Sequence, residues 1–259
     1  MTCGKVAPPK EKHKDAKRFR GSMIILIGVG HVFDIGAQIR EIILGEMPGA
    51  VCVELDPNRY YALKNPQAKR SMPPTYRLLS IFQKRMAKDF GGELGSEMLA
   101  AIDTAREAGI PALLIDADAS VLFGRLWQEM PFKERVLLTV SALTGLFTSK
   151  KKVKKELDKF TENEDQYMAQ FGKEYPTMKK ALIDDRNQVM AGRIAEAEAR
   201  YINVLAVVGD GHIEGISALL APRQLSVIRL KQLLSGDFPR RGAQVKPGNV
   251  EVDFQYTYR

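Results

Sequence analysis

Two cysteines in 259 residues cannot make a disulfide framework. Cys3 lies in a polar N-terminal stretch and Cys52 inside an apolar run. A small oxidised scaffold is therefore excluded, and a reducing, cytoplasmic setting is expected. No uninterrupted apolar run reaches the roughly 18 residues that a membrane-spanning helix requires. Residues 1–21 hold no apolar h-region, so they are not expected to act as a secretory signal. With Pro8-Pro9 and dense charge, they are expected to be a disordered basic leader, followed by a single domain over 22–259. Histidine is as scarce as cysteine. Of three in the chain, His13 belongs to the leader, which leaves His31 and His212. A monomer cannot supply three imidazoles to one metal, so a carboxylate or a second subunit must complete any metal set.

The net charge of +8 is unevenly spread. The leader holds Lys5, Lys10, Lys12, Lys14, Lys17, Arg18 and Arg20 against Glu11 and Asp15, and a second cluster runs through Lys150, Lys151, Lys152, Lys154 and Lys155. Phe19 alone interrupts these basic residues, too little aromatic interleaving for stacking on bases, so nucleic acid is not an expected partner. Between Lys133-Glu134-Arg135 and the second cluster lies VLLTVSALTGLFT, residues 136–148. It is too short to span a bilayer and is expected to be a buried helix. The alternative is peripheral contact with an anionic membrane surface through 136–155.

Along the folded part, branched apolar runs alternate with helical stretches. Strands are expected at 23–28, 50–55, 112–115, 204–208 and 225–230, with helices at 34–45, 96–108 and 213–220. Residues 57–90 read as helical with breaks at Pro66 and Pro73-Pro74, and Phe254, Tyr256 and Tyr258 as a last edge strand. Strands that are nearly all apolar, separated by helices, predict an α/β fold. Its mostly parallel central sheet is flanked by helices, with a helical insertion over about 119–202 between the N- and C-terminal βα units.

Both remaining histidines sit in one setting. Gly28-Val29-Gly30-His31 follows the first strand, and Gly209-Asp210-Gly211-His212 follows the fourth. In a parallel sheet, ligands bind at the carboxyl ends of strands. His31, Glu54, Asp116, Asp118 and His212 all fall at such ends. Two imidazoles with two or three carboxylates suit a divalent metal, whose bound water would ionise near neutral pH. Gly28, Gly30, Gly209 and Gly211 let the backbone bend and approach closely there. Of Asp116 and Asp118, one is expected to cap the next helix and the other to face the crevice. Glu54 also reads as a strand-end charge or a cap for the turn before Pro57. Arg186, in DDRNQVMA, is either part of a solvated helix or turned inward to hold a substrate anion or to orient Glu54. A second reading takes Gly28-x-Gly30-x-x-Phe33, with Glu54 after the next strand, as a dinucleotide fingerprint. Phe33 in place of the third glycine speaks against it, and so does the repeated histidine.

With GVGHVF, AVCVELDPNRYYAL, GIPALLIDAD, DDRNQVMAGRI and VVGDGHIEGI in this order, the chain resembles the TraB/PrgY pheromone-shutdown family. It is also similar to the wider ChaN, Tiki and erythromycin-esterase-like group. The resemblance runs from about Met23 to about Leu230. The family's two Gly-x-x-His motifs, glutamate and arginine fall on His31, His212, Glu54 and Arg186, gathered in one cleft of an α/β domain. Tiki relatives imply metal-dependent peptidase activity, esterase relatives water activation by a similar histidine set, and ChaN-like relatives haem or iron binding. Many relatives carry hydrophobic C-terminal spans without a counterpart after the last strand here, so a membrane role is not expected to transfer.

These readings converge on a metal-dependent, peptidase-like hydrolase using manganese, cobalt or zinc on a peptide or small-molecule substrate. His31, His212 and Glu54 would hold the metal, and Glu54, Asp116 or Asp118 would act as base. The contrasting expectation is a non-enzymatic binder of a peptide or of haem. A homo-oligomer is compatible with either.

Overall fold

Ile24–Val29 has every residue buried, as an interior strand covered on both faces must. This is β1 in a computed structural model that describes residues 23–30, 33–65, 95–146 and 164–238. The leader, the aromatic C-terminal segment and His31 lie outside the described residues. The elements that follow are α1 (Gly36–Glu46), β2 (Ala50–Val53), α2 (Pro57–Lys64), α3 (Ser96–Glu107) and β3 (Ala112–Leu114). Next come α4 (Ala119–Glu129), α5 (Phe132–Leu146), α6 (Glu164–Glu174), the short α7 (Pro176–Lys179) and a π turn, Lys180–Asp184. The chain then runs through α8 (Asp185–Tyr201), β4 (Val204–Gly209), a 3-10 turn (Asp210–His212), α9 (Ile213–Leu220), β5 (Leu225–Ile228) and α10 (Leu230–Ser235).

All five strands are parallel, in the order β3-β2-β4-β1-β5. The α/β architecture with a parallel central sheet is as expected. Because side chains alternate along a strand, each strand feeds two cores. Ile25, Ile27, Val51, Val53, Leu205 and Val207 pack with α1, α3 and α10 on one face. Ile24, Leu26, Cys52, Ala206 and Val208 pack with Met190 and Ile194 of α8 and Ile213 and Ile216 of α9 on the other. Thus α8, grouped by sequence with the insertion, is one of the helices that cover the sheet.

Two strand ends differ from expectation, each for a local reason. The strand expected over 50–55 stops at Val53, where the Leu55 N–H turns back to the Val53 carbonyl at 2.7 Å. The helix from residue 57 ends at Lys64, at the break expected at Pro66, and 66–94 lie outside the described residues. The strand expected to reach residue 230 stops at Ile228, and a helix absent from the sequence reading begins at Leu230. There the Gln232 side chain accepts from the Arg229 N–H at 2.9 Å, holding a helix start that periodicity alone does not reveal.

Candidate functional site

The chain leaves β1 and β2 towards the face covered by α1 and α3, and leaves β4 towards the face covered by α9. Neighbouring strands whose connections diverge in this way open a crevice at their carboxyl ends. The register puts Val53 beside Val207, and the Glu54 N–H extends the ladder to the Val207 carbonyl at 3.0 Å. Glu54 therefore meets the end of β4.

Glu54 is 2% exposed, and both of its oxygens are engaged. Oε2 accepts the Gly209 N–H at 2.6 Å. Oε1 accepts from Arg186 Nη2 and faces His212 Nε2 at 3.5 Å. Glu54 thus ties β2 to β4; the cap of α2 is Asp56, accepting from the Asn58 and Arg59 N–H groups at 2.8 and 3.0 Å.

Arg186 reaches the crevice from the first turn of α8, immediately after the π turn, and its Nη1 donates to the Leu182 carbonyl within that turn at 3.1 Å. Its fork grips Asp116, Nε to Oδ1 at 2.9 Å and Nη2 to Oδ2 at 2.7 Å. Burial opposes the guanidinium charge, but the Glu54 and Asp116 carboxylates outweigh it and hold the Arg186 pKa above the ordinary arginine value. Asp116 also accepts from Arg59 Nη1 at 2.6 Å, and its main-chain carbonyl accepts from Arg193 Nη1 at 2.6 Å. Asp118 lies at the start of α4, accepting from the Val121 N–H at 3.4 Å and from Asn58 Nδ2 at 3.1 Å.

His212 is 5% exposed and fixed at its far nitrogen, with Nδ1 2.7 Å from Asn187 Oδ1. An amide oxygen only accepts, so Nδ1 carries a proton and Nε2 is the nitrogen turned towards Glu54. Asn187 can sit there because residue 215 is glycine; a Cβ at that position would lie 2.1 Å from Asn187 Nδ2. Neither residue stood out in the sequence. The usable signals are adjacency to Arg186 for one and a three-residue step from His212 for the other.

Gly28 and Asp210 form a second close fit. A Cβ on Gly28 would come within 1.8 Å of Asp210 Oδ1. Asp210 is turned to Arg229, at 3.0 to 3.2 Å, and to the Leu230 N–H at 2.9 Å. The space above Gly28 that a pyrophosphate would need is filled by Asp210, so the dinucleotide reading finds no cradle there. Over Gly30, a Cβ would meet Leu230 and Phe33 at 2.9 Å. Gly211 lies within the 3-10 turn that leads to His212.

The structure therefore brings together Glu54, Asp116, Arg186 and His212 at the ends of β2, β3 and β4, with Arg59, Arg193 and Asn187 around them. Asp56 adjoins this group. Its buried Oδ2 has no hydrogen-bond partner among the described residues. Burial raises the Asp56 pKa, helped by the Asp116 charge and opposed by the N–H groups of Arg59 and Asn58 and by the Arg59 charge. As for a metal, His212 Nε2 beside Glu54 Oε1 is a nitrogen–oxygen donor pair whose imidazole is oriented through its other nitrogen, as metal-bound histidines are. That donor chemistry fits a divalent ion. A group of three His, Cys, Asp or Glu ligands is not present among the described residues. No helix among them is long and apolar enough to cross a membrane.

Comparison with known proteins adds two findings. The TraB/PrgY/gumN family model matches residues 14–227. An uncharacterized protein of Methanocaldococcus jannaschii is 31% identical over 206 residues, which cover 74% of this chain and 52% of that protein. The chain thus spans about half the length of that curated relative.

Proposed function

This chain belongs to the TraB/PrgY/gumN family, and on that basis and the geometry of the crevice we propose that it is a hydrolase that cleaves peptides. The observation that carries the reading is the placement of His212 Nε2 3.5 Å from Glu54 Oε1, with Nδ1 locked by Asn187. In its neutral form an imidazole so oriented takes a proton from an attacking water at Nε2 and returns it to the leaving amine. The fixed tautomer removes the cost of reorienting the ring during that exchange. Glu54, pinned by Gly209 and Arg186, stabilises the imidazolium that forms. Arg186 acts on Glu54 and not on the substrate, because each of its three nitrogens already donates to a protein acceptor.

Where a divalent metal such as manganese, cobalt or zinc is bound, His212 Nε2 and Glu54, with His31 of the first motif, would hold it, and Nε2 would then be a ligand and not the proton acceptor. Bound there, the ion would lower the pKa of its water towards neutrality.

The test is metal analysis by mass spectrometry on untagged protein, beside cleavage of a fluorogenic peptide library. The proteins compared are the wild type, His31→Ala, His212→Ala and Glu54→Gln. Near-stoichiometric metal, with hydrolysis lost in all three variants, is expected. A folded wild type that cleaves nothing after reconstitution with each of the three metals would overturn the reading. A Soret band on haem titration would then favour a binding protein.

A further inference from the structure

Every nitrogen of Arg186 meets an acceptor, whereas those of its neighbours do not. Arg193 lies two helical turns further along α8, on the same side of the helix. It is half-buried, and among the described residues its one hydrogen bond is from Nη1 to the Asp116 carbonyl oxygen at 2.6 Å. No carboxylate among the described residues lies within ion-pairing distance of it. Arg59, on α2 across the crevice, gives Nη1 to Asp116 Oδ2 at 2.6 Å with its side chain 26% exposed. Its Nε and Nη2 meet no acceptor among the described residues. Two guanidinium groups from different helices are thus moored to one residue, each by a single nitrogen, with donors to spare. A half-buried guanidinium without a counter-ion carries a desolvation cost that an arriving anion relieves. The spare donors form the planar fork that carboxylates and phosphates accept bidentately.

We propose that Arg59 and Arg193 are the receptor for an anionic group of the substrate, held beside Asp116, which Arg186 joins to Glu54 of the His212–Glu54 pair. This rests on the reading of that pair as the reacting centre and adds the substrate class: a molecule with a carboxylate or phosphate close to the bond to be cleaved. A peptide supplies the carboxylate at its C-terminus or on an acidic side chain, and a phosphorylated compound supplies the phosphate.

Binding at low ionic strength tests the proposal without requiring turnover. The probes are acetyl-Ala-Ala with a free carboxylate, the same dipeptide as its amide, and inorganic phosphate. Each is titrated calorimetrically into the full chain as wild type, Arg193→Gln, Arg193→Lys and His212→Asn. Arg193→Gln removes a bond to one carbonyl only, so the fold should persist, checked by thermal melting. The wild type should bind the acid or phosphate and not the amide. Arg193→Gln should weaken that binding about tenfold or more, and Arg193→Lys should restore part of it. Preference for the acid over phosphate points to a peptide carboxylate, and the reverse order to a phosphorylated substrate. Equal binding of acid and amide, no binding of either anion, or unchanged affinity in Arg193→Gln would overturn the receptor. His212→Asn should keep anion binding while losing hydrolysis. Anion binding in a protein that hydrolyses nothing would therefore sink the hydrolase and leave the receptor standing.

Discussion

Replacing Arg186 with methionine removes the cation that two buried carboxylates share. The side chain of Arg186 is 15% exposed, that of Glu54 2% and that of Asp116 1%, so water cannot take its place. Glu54 keeps the Gly209 N–H and Asp116 keeps Arg59, but each loses its principal charge partner. Leaving a buried ion pair half-broken costs about 3–5 kcal/mol. With a urea dependence of ~2 kcal/mol per molar, the unfolding midpoint should fall by roughly 1.5–2.5 M. The pH dependence is the sharper check. Without the guanidinium, burial favours the protonated carboxyl, so the folded state of the variant takes up protons before the unfolded state does. The deficit against wild type should therefore shrink as the pH is lowered from about 7 to about 5. Adding Glu54→Gln and Asp116→Asn to Arg186→Met should recover much of the loss, because no uncompensated charge remains. A midpoint shift below about 0.5 M, or a deficit that does not change with pH, would refute the placement of Arg186 as the shared buried counter-ion.

Other outcomes follow from individual contacts. Gly215→Ala should push Asn187 off His212 and lower hydrolysis about 10–100-fold, measured as kcat/KM, because an orienting partner of the imidazole is lost; Asn187→Ala should match it without the added bulk. Asp56→Ala should cost about 1 kcal/mol in urea unfolding through loss of the α2 cap. The folded Asp56 pKa is raised, so the native carboxyl keeps its proton to higher pH than the unfolded one, and its ionisation destabilises above that pKa. Wild type should accordingly gain stability relative to Asp56→Asn as pH falls through it. Burial pushes the Cys52 thiol up to about 12, so iodoacetamide should label Cys52 in denaturant and leave it unmodified in the folded protein, as peptide mapping would show.

The strands were legible because runs such as Ile24–Val29 and Val204–Gly209 are apolar on both faces, which a helix at the surface of a sheet does not tolerate. Glu54, Asp116 and His212 were legible because a parallel sheet places whatever follows each strand at one edge. What joins them was not. That Arg186 grips both Glu54 and Asp116 depends on contacts 132 and 70 residues apart in sequence, and no local period encodes them. Asn187 and Gly215 matter through a fit between two helices, which neither helix shows alone. The Asp210–Arg229 pair escaped for the same reason, and it accounts for Gly28 better than ligand binding does. Helix α10 was missed because the branched run into Ile228 reads on as strand until the side chain of Gln232 stops it.

The strand at the middle of the sheet is the fourth to be synthesised. β1 and β2 share no hydrogen bonds; each pairs with β4, which arrives some 150 residues after Val53. A nascent chain up to Tyr201 therefore holds two strands with a slot between them, each offering an unsatisfied edge to any extended segment nearby. Completion requires a late, long-range insertion, the kind of step that is slow and exposes intermediates to aggregation. The same event joins Glu54 to Gly209 and carries His212 to the crevice. Chains that end before Val204 should be sticky as well as inactive, and recovery of the site on refolding should keep time with closure of the sheet.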